Sequence, residues 1–273
     1  MNQKVDWNYA WVGLLGAVFF LPLLGGVHLF DWDEVNFAEV SREMLLKGEY
    51  LRPQINFEAF WEKPPLFFWL QSFSMSIFGV NEYAARFPNA VCGIATLILL
   101  YHFGKTIYDK TFGWLWVLSY WGSILPHLYF KSGIIDPWFN LFIFLSFYFL
   151  TENQATQNPK PEPENSKLKT QNSQHLIMAG IFAGLAILTK GPVGYLIIFL
   201  SWLFKTLIYR ELSVKNIKYF IFFSIIALVT TLSWFGIETL RNGTWFVKTF
   251  IEYNLRLAKT DRKSTRLNSS HVD

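Results

Sequence analysis

Acids and bases crowd the stretch between Asp33 and Pro65: Asp33, Glu34, Glu39, Arg42, Glu43 and then Glu62-Lys63-Pro64-Pro65. Two more charged points lie further on, Asp136 before Pro137 and Lys190 before Gly191-Pro192. These residue types suit one kind of chemistry. A carboxylate can take the proton of an attacking hydroxyl. Ammonium groups can face a phosphate, and they lower a barrier most where negative charge develops in a dry site. Ionisable side chains beside hydrocarbon are costly and tend to be functional. Taken together, the set reads as a polar reaction centre at a membrane surface.

Each motif alone also has a plain structural reading. Asp33 can cap the helix that its neighbours predict. Glu62-Lys63 can be a salt-bridged turn with a snorkelling lysine, stiffened by two prolines that fix the backbone. Asp136-Pro137 is an ordinary helix start, and Lys190-Gly191-Pro192 an ordinary helix stop. His28 and His127 fall near the ends of apolar runs and could join Glu62 in holding a divalent cation, or could simply pack at the interface.

The elements that must position these groups are membrane helices. Of 273 residues, 52% are hydrophobic, 19% aromatic and only 16% charged, with 12 Trp and 28 Phe; soluble chains average about 25% charged. The expectation is an all-α, polytopic transmembrane bundle. The net charge of +4 is small and comes from Lys and Arg in short loops, so no nucleic-acid partner is expected. Cys92 is the sole cysteine and excludes an internal disulfide. The first apolar run is too long for a signal-peptide core and lacks an Ala-x-Ala site, so it reads as a retained span.

Apolar runs place about seven spans near 9–29, 84–103, 112–130, 137–151, 176–189, 192–208 and 219–238. The run 65–79 is short for a span of roughly 20 residues and reads as an interfacial or re-entrant segment. Residues 33–47 alternate apolar and polar at helical spacing, which predicts an amphipathic helix on the membrane surface. With 65–79 kept out of the count, loops 104–111, 152–175 and 209–218 share the N-terminal side. They carry Lys105, Lys110, Lys160, Lys167, Lys169, Arg210, Lys215 and Lys218, so the positive-inside rule makes that side cytoplasmic. The 31–65 loop, the 131–136 turn and the 189–191 turn then meet on the opposite side. The Pro-, Asn- and Gln-rich stretch 153–173 reads as a flexible cytoplasmic linker. No internal repeat is visible.

Beyond these patterns, Asp33-Glu34-Val-Asn-Phe-Ala-Glu39-Val-Ser-Arg42-Glu43, Phe60-Trp61-Glu62-Lys63-Pro64-Pro65, Ile135-Asp136-Pro137 and Leu188-Thr189-Lys190-Gly191-Pro192 together resemble the integral-membrane C-type glycosyltransferases. Within them the chain is similar to the aminoarabinose transferases and protein O-mannosyltransferases, over roughly residues 10–257. The resemblance implies a polyprenyl-phosphate-linked sugar as donor and a lipid or protein acceptor on the outer side of the cytoplasmic membrane, joined with inversion. It implies Asp33 as the catalytic carboxylate and Asp136 as an orienting one. Lys63 and Lys190 would bind the donor phosphate, with Arg86 either structural or phosphate-facing. Glu62 and Glu34 would serve the acceptor or a divalent metal cation. The arabinose-transferring members carry an arginine three residues after the catalytic Asp; Asn36 stands there, and one expected phosphate contact is lost. The family's continuation beyond this length, and the aperiodic Arg262–Asp273 stretch, imply an N-terminal transmembrane region 1–261 with a disordered, artefactual tail after it.

A transporter or flippase without chemistry is the alternative, and a non-catalytic assembly partner a third. Transporters favour charges near the bilayer midplane and broken helices paired between repeats; here the charges gather at one boundary.

Overall fold

A computed structural model describes residues 6–30, 32–60, 62–155, 166–210, 212–244, 246–252 and 256. Within these the chain is helical: α1 Asn8–Phe20, α2 Asp33–Lys47, α3 Leu66–Phe78, α4 Glu82–Ile107, α5 Lys110–Trp121, α6 Ile124–Tyr129, α7 Asp136–Ala155, α8 Ser166–Lys190, α9 Val193–Ile208 and α10 Val214–Asn242. Local chemistry sets several ends. Asn81 caps α4 by accepting the Ala84 N–H at 2.8 Å. Gly48 ends α2 in the left-handed region, with its N–H on the Met44 carbonyl.

Three helical stretches, Glu82–Ile107, Ser173–Lys190 and Val214–Asn242, are long and apolar enough to cross a membrane; α1, α3 and α9 are shorter apolar helices. This is an integral membrane protein. Two expected spans differ from the sequence reading. The run 9–29 is helical only to Phe20 and then turns through Leu21–Gly26, so α1, with 13 residues, rises only about 20 Å. The run 112–130 breaks at Gly122-Ser123 into α5 and α6. The expected linker is shorter than its composition implied, because α7 runs on to Ala155 and α8 begins at Ser166. Its middle, 156–165, and the tail 262–273 lie outside the described residues.

Close helix contacts rest on small residues. A Cβ on Gly184 would lie 2.5 Å from Thr230 Cβ, and one on Gly180 2.6 Å from Ile226 Cβ, which lets α8 approach α10 closely. Gly104 and Gly113 do the same for α4 and α5.

The bundle has two distinct ends. At one, Asp6 ahead of α1 binds Lys105 at the end of α4 (2.7 Å) and faces Lys110 at the start of α5 (3.7 Å). The Lys105 ammonium holds the Asp6 carboxyl well below the usual carboxylate range. At the other end gather α2, the starts of α3, α4 and α7, and the ends of α8 and α10. The charged first loop, the 131–136 turn and Lys190 therefore share one end, opposite the basic loops. Helix α3, with 13 residues, packs against α2 and α4 at this end.

One element was not foreseen. Gln54–Ile55 and Glu58–Ala59 form a small antiparallel hairpin. Its turn places Asn56 and Phe57 at φ 53° and 63°, the geometry such two-residue turns need. The Glu43 carboxylate accepts the Phe57 N–H at 2.9 Å, and Lys47 sits 4.6 Å over the Phe57 ring.

Candidate active site

Buried polar groups build the platform. Ser41 on α2 donates to Gln71 Oε1 (2.9 Å), and Ser72 donates to the Ser41 carbonyl (2.9 Å). Gln71 on α3 donates onward to the Ala85 carbonyl of α4 (2.9 Å). Asn89, one turn further along α4, donates to the carbonyls of Ser132 and Ile134 (2.6 and 2.7 Å). Asn89, with a longer contact from Gln71 to the Gly133 carbonyl (3.4 Å), thus holds the turn that leads into Asp136. Phe37, Val40, Met44, Phe67, Phe68 and Ile135 fill the space beneath. Gln71 and Asn89 escaped the sequence reading, although lone amides in apolar helices were a usable signal.

Arg86 is the centre of this platform. Its Nε and Nη2 donate to Glu34 (2.8 and 2.9 Å), its Nη1 to the carbonyls of Leu24 and Val27, and its Nη2 to that of His28. All five guanidinium N–H groups are spent, and both side chains are 1% exposed. Glu34 also accepts the backbone N–H groups of Phe30 and Gly133. Of the two readings of Arg86 the structure supports the structural one, and the phosphate-facing alternative and the acceptor or metal role expected of Glu34 are corrected. Neither has a hydrogen-bonding position left, and both serve to pin the first loop to α4 and to the 131–136 turn.

Asp33 is placed by this clamp. It is the first residue of α2, next to the anchored Glu34, and its side chain is exposed with no partner among the described residues. Trp32 before it adopts φ 60° and ψ −85°, a sparsely populated conformation for a bulky residue of the kind that clusters at functional sites. Asp136 and Lys190, 54 residues apart in sequence, form an ion pair at 2.7 Å, with side chains 27% and 34% exposed. Gly191, at φ 93°, comes directly after Lys190 and leaves room for the Phe250 ring. Glu62 and Lys63 are half-buried, directly before the buried Pro64-Pro65 that open α3. The structure thus joins Asp136 to Lys190 directly, and ties Asp33 to their turn through Glu34 and Gly133. Glu62 and Lys63 reach the same end by chain connection.

Neither histidine joins Glu62. His28 pairs with Glu82 at 3.2 Å, and His127 Nε2 meets the Trp121 carbonyl at 2.7 Å. Among the described residues no three His, Cys, Asp or Glu side chains group to hold a metal.

Comparison with known proteins fits this arrangement. A family profile described as dolichyl-phosphate-mannose-protein mannosyltransferase matches residues 62–162. An undecaprenyl phosphate-alpha-4-amino-4-deoxy-L-arabinose arabinosyl transferase of Shewanella sediminis is 24% identical over 93% of this chain and 45% of its own length. That of Wigglesworthia glossinidia brevipalpis is 27% identical over 75% and 35%. Crystal structures of ArnT from Cupriavidus metallidurans, in the apo state and bound to undecaprenyl phosphate, superpose with TM-scores of 0.77 and 0.76. They are 23% and 21% identical and cover 90% of this chain. This chain has the ArnT fold. It spans less than half the length of these relatives, 45% and 35% of the two transferases and 44% of each ArnT chain. The all-α membrane architecture expected from the sequence is thereby established.

Proposed function

We propose that this chain holds the donor half of a membrane glycosyltransferase active site. In this reading it transfers a sugar from a polyprenyl phosphate to a hydroxyl or phosphate of an acceptor such as lipid A, a protein or another surface glycoconjugate. The single observation that carries the reading is the gathering of Asp33, the Asp136–Lys190 pair and Glu62-Lys63 at one end of the bundle, opposite the basic loops. The ArnT neighbour bound to undecaprenyl phosphate supports the donor class. The relatives' names support an aminoarabinose donor, whereas Asn36 departs from that pattern, and the sugar is left open.

The chemistry is dictated by charge. An acceptor hydroxyl attacks the anomeric carbon and its proton passes to the Asp33 carboxylate. The bond from that carbon to the phosphate oxygen breaks on the opposite face, so the anomeric centre inverts, and the polyprenyl phosphate leaves with the bonding electrons. Lys190, oriented by Asp136, and Lys63 face the charge that grows on the leaving phosphate. Because Arg86 is spent and Asn36 is neutral, these two lysines carry that role in this half. A divalent cation would find Glu62 as a ligand, but among the described residues no three His, Cys, Asp or Glu side chains group to hold one, and no step is routed through a metal. The site lies on the periplasmic or extracellular face of the cytoplasmic membrane, since the opposite loops are basic.

Asp33→Asn tests the assignment. Transfer in membranes containing the protein should fall by about 10²–10⁴-fold, the scale of a lost general base, at unchanged protein level. Transfer persisting at the wild-type rate would rule Asp33 out.

A further inference from the structure

Two indoles from separate helices hold adjacent carbonyls of the first loop. Trp69 on α3 donates to the Tyr50 carbonyl at 2.6 Å, and Trp234 on α10 to the Leu51 carbonyl at 2.8 Å. Trp234 is fully buried, so water does not compete for its bond. The Leu51 side chain packs in the same place, against the buried cluster of Leu188, Trp234, Phe246 and Phe250. Leu188 lies two residues before Lys190.

Past this strap, residues 53–60 are tied into one body. The Phe60 N–H closes onto the Pro53 carbonyl at 2.9 Å, and Glu43 holds the hairpin tip. Glu62 and Lys63 come next. The strap therefore holds one end of the segment that carries Lys63, whose other end is the buried Pro64-Pro65 before α3, and the Trp234 bond registers that segment against the half of the bundle that ends in Lys190. Indole rings are rigid, with two rotatable bonds, which suits them to this registration better than longer side chains.

We propose that Trp69 and Trp234 are positioning residues: by gripping the Tyr50 and Leu51 carbonyls they hold the loop that brings Lys63 to the donor phosphate beside Lys190. The inference rests on the donor-phosphate reading of Lys63 and Lys190. Loss of either N–H lowers the population of the loop in its binding-competent place, so donor affinity falls while the chemistry, once donor is bound, does not change.

The test uses Trp69→Phe, Trp234→Phe and the double variant in membranes, since phenylalanine keeps an aromatic ring and drops the N–H. The donor KM should rise by about fivefold for each, the size of one net hydrogen bond, with kcat at saturating donor retained. Amides of residues 50–60 should exchange faster with deuterium. Trp114→Phe is the control: it removes an indole bond of the same kind, to Asn8 Oδ1 at 3.2 Å, at the far end of the bundle, and should move neither readout. If Trp234→Phe does not accumulate, Trp69→Phe carries the same test. Unchanged donor KM, or a loss of folded protein with KM intact, overturns the proposal; so does unchanged exchange. Should Asp33→Asn retain transfer, the reading of the site falls, while the exchange data still judge the grip on the strap.

Discussion

Two cation–carboxylate pairs sit at the same end of this molecule, and they differ in how much bonding capacity they leave over. Arg86–Glu34 is sealed, with every guanidinium N–H and both carboxylate oxygens occupied. Lys190–Asp136 is open, partly exposed, and Lys190 spends one of its three N–H donors on Asp136. A saturated pair can only hold structure. An unsaturated pair at the mouth of the bundle can still bind something. On the proposed reading of the site, saturation rather than the presence of charge separates scaffold from site.

The largest effect should come from breaking the sealed pair. Arg86→Ala strands the Glu34 carboxylate and the Leu24, Val27 and His28 carbonyls in a dry place. Breaking a buried pair by removing one partner costs about 3–5 kcal/mol. Unfolding in detergent, by thermal or denaturant titration, should show that loss. Wild-type stability in Arg86→Ala would collapse the distinction between the two pairs.

The open pair predicts the reverse pattern. Lys190→Ala should cut sugar transfer by about 10²–10³-fold, as expected for a lost donor at a developing charge. Its effect on stability should stay below about 1 kcal/mol, because a pair this exposed is solvent-screened. Steady-state transfer and unfolding on the same preparation check both halves. A variant that loses stability but keeps its rate would make Lys190 scaffold after all.

A third change reaches the open pair from a distance. Gly184→Ala would place its Cβ 2.5 Å from Thr230 Cβ and 3.0 Å from the Ala227 carbonyl, so α8 must move away from α10. Overpacking of this kind costs about 1–3 kcal/mol, read by unfolding. Since α8 ends in Lys190 while Arg86 lies on α4, donor binding should weaken and the sealed pair should stay intact.

How far the sequence revealed this depends on what each residue contacts. Asp136 and Lys190 were visible as charges, yet each also fitted an ordinary helix start or stop; only the fold, joining positions 54 apart, chose between the readings. Arg86 was ambiguous because its partners are carbonyls of Leu24, Val27 and His28, which no side-chain pattern marks. Helix α1 looked longer than it is because hydropathy does not register the turns after Phe20. The hairpin at 54–59 was hidden because Asn56-Phe57 lacks the glycine that usually signals such a turn. The helical start of α8 was masked by a polar composition that also suits a linker. What the pattern did carry was the gathering of the charged loops at one end, because loop charge and span count constrain each other.

A third pair marks the lower end of the comparison. Arg42 and Glu39, three residues apart on α2, meet at 2.8 and 2.5 Å and are about as exposed as Lys190 and Asp136. Arg42 holds the Glu39 carboxyl below its ordinary value, first through the hydrogen bond and against a smaller cost of burial. A carboxyl lowered in the folded state contributes stability above its unfolded pKa, and that contribution is lost as pH falls through the folded value. The wild-type protein should therefore lose this increment in the acid range just below the ordinary carboxylate pKa, and Glu39→Gln should lack that limb. The expected size is about 0.2–1 kcal/mol at neutral pH, shrinking as salt screens the pair. Unfolding curves of both proteins across that pH range, at low and high salt, measure it. An effect as large as that of Arg86→Ala would mean that exposure does not govern these pairs, and the contrast between the sealed pair and the two partly exposed ones would fail.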